Sequence, residues 1–535
     1  MTKIPFANIT MEAESQRTAC TFDDIFKHVN SFGRYPQMMY FAFSFGFIFT
    51  MEGQFSGLVF LMGTPRFHCA TPNITCSPNT CCNNCTEYEF DGPMRTTVSE
   101  WSLICGRAYL GTVLQACDFS GMVLGSLISG NLSDRLGRKK WCLYSAIILL
   151  ISSTSSSFVD CPSFFAFLRF VVGMSTISLA LAQYTYCLEA VGPEWRTMAG
   201  SAQGFFWNGN SVLAVLAAYL VRYWRNLILV YSTALLPILF AWKWIPESPR
   251  WLVAHGYVDE AYSVIMKYGP KKGKESVDSA ALRDLIQNIH QDQIKEEKEA
   301  KIYNYMDLLR GRKLRKWSCI LFYQWFSVAL VTFGMYLFVE QLAGNLFVNY
   351  TIMRTVTTLR VFINWIVYGK FGRRFSHGVF QVMTGLILLL ILAVYKDYPK
   401  VTTGLGLAGS ILSANWSGLY LITSEIYPTV IRNSGLSAGS TVARIGAVLS
   451  PFIVMTGRLP GLSTAFPVSI FGTMAVTAGL STYLLPETLF LKMCQTIKET
   501  EVAQEYYGLP CWGKSRDTDE RAQAEIEGKE EITRL

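Results

Sequence analysis

Three ionisable residues stand deep inside long apolar runs of the sequence, where a charge is costly unless it faces a partner or a polar cavity. Arg360 precedes Gly372 by twelve residues and Asp118 precedes Gly130 by twelve, which places each about 18 Å from the end of its run if the run is helical. Arg444 lies about 14 Å deep by the same measure. Because a guanidinium can hold a carboxylate through two parallel hydrogen bonds, we predict that Arg444 and Arg360 bind an organic anion.

Aromatic residues on the same predicted helices can frame a planar ligand by stacking. From a chain in which 14% of residues are aromatic, we select Trp416, Tyr420 and Tyr336. Two other charged residues, Glu52 and Arg354, stand nearer the ends of their runs and are expected to reach water by snorkelling. The predicted ligand set therefore consists of the two arginines and these three aromatic residues.

The elements that position these residues are apolar runs long enough to cross a bilayer. The chain is 51% hydrophobic and only 16% charged, against roughly 25% charged in soluble domains, and a spanning helix needs about 20 apolar residues. The predicted spans are 36–60, 108–130, 141–160, 163–186, 198–221, 226–245, 317–338, 350–369, 377–395, 403–423, 435–457 and 465–485. The sequence thus predicts an all-α membrane protein with twelve transmembrane helices in two six-helix halves.

This pattern divides the chain into five parts. They are an N-terminal segment 1–35, a bundle 36–245 containing a long loop 63–107, a linker 246–316 with short helices, a bundle 317–485 and a tail 486–535. The first segment lacks the apolar core of a signal peptide. Most of the net charge of +8 falls in short loops on one side, as expected for cytoplasmic loops rather than for nucleic-acid binding. We expect a plasma-membrane protein with both termini in the cytoplasm.

The loop 63–107 contains six of the fourteen cysteines of the chain. Clustered cysteines on an oxidising face predict disulfides, and the close spacing of three of them leaves a metal site as the less favoured alternative. Two glycosylation sequons in the same loop begin at Asn73 and Asn84 and fit an extracellular position. The predicted disulfide cysteines are Cys69, Cys76, Cys81, Cys82, Cys85 and Cys105.

The loop after the second predicted helix runs from Gly130 to Lys139 and contains Asp134, Arg135, Gly137 and Arg138. It resembles the signature loop of the major facilitator superfamily. A shorter copy, 369–374, lacks the acidic residue and follows the eighth predicted helix. The resemblance implies two related six-helix bundles that work by alternating access, with the second-half lock weakened by the missing acid.

Four further segments are distinctive, namely 100–105 at the end of the Cys-rich loop, 246–252, 425–429 followed by Arg432, and 485–488. With them the chain is similar to the organic ion transporters, the family of organic cation, carnitine and organic anion carriers. In that family the anion and carnitine carriers have an arginine where Arg444 stands, so the resemblance implies an organic anion or a zwitterion as substrate. The alternative is a cation carrier that uses Asp118 or Glu52; a sugar-porter-like carrier or a non-transporting receptor is less favoured.

Charged residues at the helix ends are candidates for gating. Asp118 is expected to pair with Arg444, because the resemblance places the second and eleventh helices face to face; Glu189 is expected to pair with Arg196, and Glu247 with Arg250. For the groups at the helix ends, ion pairs that only fix loop shape are an equal alternative. The full set is Asp118, Asp134, Arg135, Arg138, Glu189, Arg196, Glu247, Arg250, Glu425 and Arg432.

No catalytic, cofactor or metal-binding pattern is predicted. The sequence contains no phosphate-binding loop that ends in Gly-Lys-Ser or Gly-Lys-Thr, and its five histidines have no zinc-ligand spacing, so we expect a transporter rather than an enzyme. The expected partners are a small organic ion and the lipid bilayer. The ending Thr533-Arg534-Leu535 resembles ligands of domains that capture a C-terminal carboxylate, which suggests a cytoplasmic scaffold. Exchange, uniport and cotransport all remain open.

Overall fold

The structure is a computed structural model that describes residues 21–71, 81–82, 85–270, 278–299, 305–395, 397–459, 462–463, 465–489, 494, 496–502 and 507. Its framework is twelve long helical segments, and one lies in each of the predicted spans. The first six are α1 Arg34–Met62, α2 Ala108–Leu136, α3 Arg138–Ser156, α4 Pro162–Glu189, α5 Pro193–Val221 and α6 Trp224–Trp244. The second six are α7 Arg312–Phe338, α8 Leu346–Phe371, α9 Arg373–Val394, α10 Pro399–Ile426, α11 Arg432–Thr456 and α12 Phe466–Thr482.

Nine of the helices in the described residues are long and apolar enough to cross a membrane by length and composition. The other three are α3, α8 and α12. Helix α12 is apolar but has only 17 residues, and α8 carries buried polar side chains, among them Arg354 and Arg360, that lower its apolar content. Those polar groups are buried within the protein, which is where a bilayer-spanning chain must keep them.

Two helices are interrupted. Helix α6 is regular over Trp224–Thr233 and continues through Leu236–Phe240 into a 3-10 turn, Ala241–Trp244. Helix α10 consists of Pro399–Ser413 and Trp416–Ile426, separated by Ala414 and Asn415. The sequence analysis treated α10 as one continuous span, because no proline marks the interruption.

The two halves meet mainly where α2 packs on α11 and α5 packs on α8, which confirms the expectation that the second and eleventh helices face each other. We name the two ends of the bundle by what they carry. The Cys-rich end carries the loop between α1 and α2, and the linker end carries the segment between α6 and α7. Helix α1 begins at the linker end.

The Cys-rich loop contains a two-stranded antiparallel sheet that the sequence analysis did not predict. Strand β1, Arg66–Thr71, pairs with β2, Glu87–Asp91. One disulfide joins Cys69 to Cys85 and another joins Cys81 to Cys105 at the base of α2. Cys82 is also disulfide-bonded, which confirms disulfides in this loop. Cys76, Asn73 and Asn84 lie outside the described residues.

The linker forms short helices that cover the linker end of the first half. They are Pro249–Ala254, Val258–Met266 and Ser279–Glu299. A 3-10 helix that precedes α1, Phe22–Lys27, packs against them. The longest of these helices buries an apolar face, since Leu282 and Ile286 contribute to the small core shared with Phe22 and Phe26.

Candidate functional site

Arg444 lies on α11 with its guanidinium in the interior of the bundle. One terminal nitrogen, Nη1, donates to the carbonyl oxygen of Ser440 at 2.6 Å and to its hydroxyl at 2.5 Å. Among the described residues Arg444 forms no ion pair, and its Nε is a buried donor without a partner. Arg444 thus retains hydrogen-bonding capacity for a ligand.

The three predicted aromatic residues belong to one cluster, joined by two residues of α7. Trp325 contacts Tyr420 with ring centroids 4.7 Å apart and Trp416 at 6.2 Å. Phe333 contacts Trp416 at 6.0 Å and Tyr336 at 6.3 Å. The Tyr420 side chain remains 43% exposed. We call these five rings the aromatic wall.

The wall extends across the interface between the halves through Phe333. This ring stacks on Phe55 of α1 at 5.6 Å and contacts Phe119 of α2 at 5.4 Å. Trp207 of α5 contacts Phe55 at 5.9 Å. The sequence analysis did not select Phe333, because one phenylalanine among 35 carries no local sign that it bridges two halves.

Arg360 occupies a different environment from Arg444. Its Nη1 donates to the Ile411 carbonyl oxygen, and its Nη2 donates to Asn415 Oδ1 at 3.3 Å. The guanidinium carbon lies 5.0 Å from the centre of the Phe380 ring. Both terminal nitrogens of Arg360 are therefore already engaged inside the second half, and its Nε, like that of Arg444, is a buried donor without a partner.

The expected pair between Asp118 and Arg444 is wrong for this structure. Asp118 instead pairs with Arg169 of α4 at 2.9 Å, and both side chains are 0% exposed. The reason is close packing of α4 on α2. A Cβ at Gly173 would lie 1.9 Å from the Asp118 carbonyl oxygen, so only glycine permits this approach, and Arg169, one turn earlier, reaches the carboxylate. The available sign was an arginine inside the predicted span 163–186.

Glu52 and Arg354 do not reach water, contrary to the sequence analysis. They are 1% and 3% exposed and pair across the two halves, with Glu52 Oε1 2.6 Å from Arg354 Nη2. Ser211 of α5 accepts from Arg354 Nε at 2.7 Å and donates to Glu52. Arg354 also lies 5.1 Å from the centre of the Tyr336 ring, so this pair adjoins the aromatic wall. The two charges that were expected at the surface therefore form an ion pair between the halves. The helix contacts that bring them together cannot be read from the sequence.

A second set of contacts joins the halves at the Cys-rich end. Glu340, which follows α7, pairs with Arg458 at 2.9 Å and accepts from the Thr64 backbone N–H at 2.6 Å. Arg458 also donates to the Thr64 hydroxyl at 2.7 Å. Since Thr64 follows α1, this group connects the first half to the second.

Comparison with known proteins identifies the family of the chain. The family model described as "Sugar (and other) transporter" matches residues 105–497. "Organic anion transporter 3" of Sus scrofa is 31% identical over 76% of this chain and 74% of its own length. "Organic cation transporter protein" of Drosophila melanogaster is 29% identical over 90% and 94%, respectively. The chain belongs to the organic ion transporter family of the major facilitator superfamily.

A solved structure supports the fold of this organic ion transporter. The inward open conformation of the xylose transporter XylE from E. coli matches with a TM-score of 0.61 and covers 87% of this chain and 97% of that chain, at 16% sequence identity. The chain is a membrane transporter and not an enzyme. The expected major-facilitator fold is confirmed, whereas the comparisons do not distinguish anions from cations.

In this transporter the signature loop forms an ion-pair network inside the first half. Arg138 bonds to Asp134 and pairs with Glu189 at 3.1 Å. Glu189 in turn accepts from the Ser248 hydroxyl at 2.6 Å. Arg135 is exposed. The loop turns at Gly137, whose φ of 101° lies in the left-handed region that favours glycine.

Two expected pairs at this end are wrong, because other partners lie closer. Glu189 is taken by Arg138, and Arg196 pairs with Asp23 of the N-terminal segment at 2.9 Å. Glu247 accepts from the Lys139 backbone N–H at 2.7 Å and so caps the start of α3. Burial raises the pKa of the Glu247 carboxyl, opposed by these backbone donors. Arg250 lies instead 5.6 Å from the centre of the Phe22 ring.

The second half repeats this network with different residues. Gly372 has a φ of 87°, Arg373 pairs with Glu425 at 3.3 Å, and Glu487 accepts from the Arg373 backbone N–H at 2.8 Å. Thr488 donates to Glu425 at 2.5 Å, as Ser248 does to Glu189. Arg432 donates to the Thr429 hydroxyl at 3.3 Å. The shorter copy of the loop, 369–374, therefore keeps the central ion pair, here between Arg373 and Glu425, although it has no counterpart of Asp134.

Proposed function

We propose that this transporter carries organic anions, or zwitterions that include an anionic group, across the plasma membrane by alternating access. Arg444 holds the anionic group, and the aromatic wall frames the remainder of the substrate. The observation that carries the proposal is a guanidinium in the bundle interior with no ion pair among the described residues and an unused buried Nε donor. A carboxylate or sulfonate supplies the acceptors that this arginine lacks.

The balance of charge around the site supports an anion. The interior of the described helices contains two acids, Glu52 and Asp118, and each pairs with a buried arginine. Arg360 and Arg444 remain as cations that no carboxylate neutralises in the described part of the chain. An excess of positive charge in a cavity of low dielectric constant attracts anions and repels simple cations.

Arg360 contributes to this proposal through its charge rather than by direct contact. Its two terminal nitrogens bond to the Ile411 carbonyl and the Asn415 carboxamide. A carbonyl and an amide leave its positive charge in place, so Arg360 adds to the potential that favours an anion. The Tyr336 ring contacts Phe333 of the aromatic wall and also lies under the Arg354 guanidinium.

A cation carrier is the alternative that the relatives keep open, because one of them is named an organic cation transporter. In that account Asp118 or Glu52 would bind the cation. Each carboxylate would first have to release a buried arginine, which leaves that arginine without a partner at a cost of about 3–5 kcal/mol. We therefore favour the anion.

The proposal includes an orientation in the membrane. The linker end carries the basic clusters, so it faces the cytoplasm together with both termini, and the disulfide-bonded hairpin faces outward. In this orientation, glycans on Asn73 or Asn84 lie outside the cell, and a scaffold bound to Thr533-Arg534-Leu535 lies in the cytoplasm.

Two experiments test this orientation. Removal of glycans should shift the mobility of the mature protein on a gel. Deletion of the last three residues should reduce retention of the protein at the cell surface.

Uptake by cells that express the full chain tests the proposed function. The panel consists of radiolabelled benzoate, the zwitterion trimethylglycine and the permanent cation tetraethylammonium, each measured across pH and with or without sodium. We expect uptake of benzoate or of the zwitterion and none of tetraethylammonium above that of untransfected cells. Uptake of tetraethylammonium alone would overturn the proposal.

A further inference from the structure

Helix α10 stops and restarts immediately before the aromatic wall. Ala414 has a ψ of 54°, which is not helical, and the Asn415 N–H donates to the Ser413 carbonyl at 2.7 Å. In a continuous helix that N–H would donate to the Ile411 carbonyl, four residues earlier. The break therefore leaves a buried carbonyl that needs another donor.

Side chains from neighbouring helices satisfy the carbonyls at the break. Arg360 of α8 donates from Nη1 to the Ile411 carbonyl, and Thr332 of α7 donates to the Ser413 carbonyl at 2.9 Å. Arg360 thus takes the place of the missing main-chain donor. This hydrogen bond gives the Arg360 guanidinium a structural role inside the second half, although it has no carboxylate partner among the described residues.

The carboxamide of Asn415 is the centre of the same group. Its Oδ1 accepts from the Tyr368 hydroxyl at 2.7 Å and from Arg360 Nη2 at 3.3 Å. Its Nδ2 lies 2.8 Å from His377 Nδ1, and because an amide nitrogen only donates, that histidine nitrogen accepts. Asn415 is 0% exposed and His377 is 1% exposed. Asn415 therefore connects α10 to α8 and α9 through hydrogen bonds.

The second part of α10 begins directly after this residue. Trp416 is its first residue, and Tyr420 lies one turn later. A Cβ at Gly418 would lie 1.9 Å from the Tyr368 hydroxyl, so the glycine lets this part of the helix lie against Tyr368. The direction in which Trp416 and Tyr420 leave the break is set by the group around Asn415.

We propose that Arg360, Tyr368 and His377 are positioning residues, which hold Asn415 and so aim the part of α10 that carries Trp416 and Tyr420 toward the substrate. The inference rests on the proposed function only in assigning those two rings to substrate binding. It gives Arg360 a role that differs from the direct contact predicted from the sequence. It also gives a role to His377, which direct anion binding by Arg360 does not involve.

Hydrogen exchange on the full chain in lipid nanodiscs tests the positioning role without any substrate. In Arg360→Met and in His377→Leu, exchange of the amides of 414–420 should rise by about tenfold or more, the factor expected when a strong buried hydrogen bond is lost. Asn415→Asp keeps an acceptor for Tyr368 and Arg360, so its increase should be smaller. His290→Leu, in the linker, is the matched control and should leave these amides unchanged.

Benzoate uptake separates positioning from direct contact. We expect Arg360→Met and His377→Leu to raise KM for benzoate in parallel, while both proteins reach the cell surface. Unchanged exchange at 414–420 in His377→Leu would overturn the positioning role, and a raised KM confined to Arg360→Met would show that Arg360 acts on the anion through its charge or by contact, and not by positioning Asn415. If exchange rises as expected but the wild-type protein takes up no anion, positioning stands and the proposed function fails.

Discussion

The two ends of the interface between the halves are held together differently. Toward the Cys-rich end, the Glu52 to Arg354 pair and the Glu340 to Arg458 pair connect α1 or its following residues to the second half. At the linker end, Arg138 with Glu189 and Arg373 with Glu425 each stay within one half. Between described residues, one ion pair and the hydrogen bonds with Thr64 thus tie the halves to each other at one end, whereas the ion pairs at the other end stabilise each half separately.

In the proposed alternating-access cycle, this difference determines which contacts have to break. To open the aromatic wall toward the Cys-rich end, the buried Glu52 to Arg354 pair must separate, which exposes two charges to a new environment. Opening toward the linker end breaks none of the four pairs. We therefore expect substitutions at the two ends to affect conformation in different ways.

The largest effect is expected at Glu52. In Glu52→Gln, Arg354 stays buried without its carboxylate, which should lower the free energy of unfolding by about 3–5 kcal/mol. It should also increase labelling, from the Cys-rich side, of a cysteine placed at Tyr420. Thermal unfolding of detergent-purified protein and labelling of intact cells measure the two effects.

The charge-swapped variant with Glu52→Arg and Arg354→Glu is the control. It restores an ion pair with reversed polarity, so it should recover part of the lost stability and reduce the labelling. If Glu52→Gln and Arg354→Gln are each as stable as the wild-type protein, the pair does not hold the halves together.

A somewhat smaller effect is expected from the disulfides of the Cys-rich loop. The bonds close loops with sequence separations of 16 and 24 residues, and each should contribute about 2–4 kcal/mol to the order of the loop. Changing Cys81 and Cys105 together to serine should make the loop sensitive to protease. The matched control, Cys117→Ser, removes a free cysteine of α2 and should not. Equal protease resistance in both variants would contradict this prediction.

The smallest effects are expected at the linker end, and they should be similar in the two halves. Glu189→Gln and Glu425→Gln each remove a charge-assisted pair near the surface, for which we expect a loss of about 1–2 kcal/mol. Labelling of a cysteine at Tyr420 from the Cys-rich side should stay at its wild-type level in both. A large increase in that labelling for either variant would show that this end also controls opening toward the other side.

The sequence predicted the helices better than it predicted which residues pair with each other. Apolar length predicted the twelve helical segments, and the signature loop drew attention to Gly137 and Arg138, which the structure places at a turn and in an ion pair. It did not predict that Asp118 meets Arg169 or that Glu52 meets Arg354, because helix packing brings together residues 51 and 302 positions apart. The break in α10 was missed for a similar reason, since Arg360 and His377 stabilise it from other helices.

The same limit applies to the candidate site. Residue type singled out Arg444, Trp416, Tyr420 and Tyr336, because charge and aromatic rings are conspicuous in apolar runs. Phe333 joins three of the helices around the site, yet a phenylalanine in a membrane helix is ordinary. Contacts between distant segments, rather than residue type, identify it.

The measurement that tests the central claim most directly is the charge selectivity of Arg444 variants at matched surface expression. Relative to the wild-type protein, benzoate uptake should fall by about 30-fold or more in Arg444→Gln and Arg444→Asp, since the buried anion loses its cation. It should fall less in Arg444→Lys, which keeps the charge without the planar fork. Wild-type levels of benzoate uptake in Arg444→Gln, or transport of tetraethylammonium that survives this change while anions are not carried, would contradict the account.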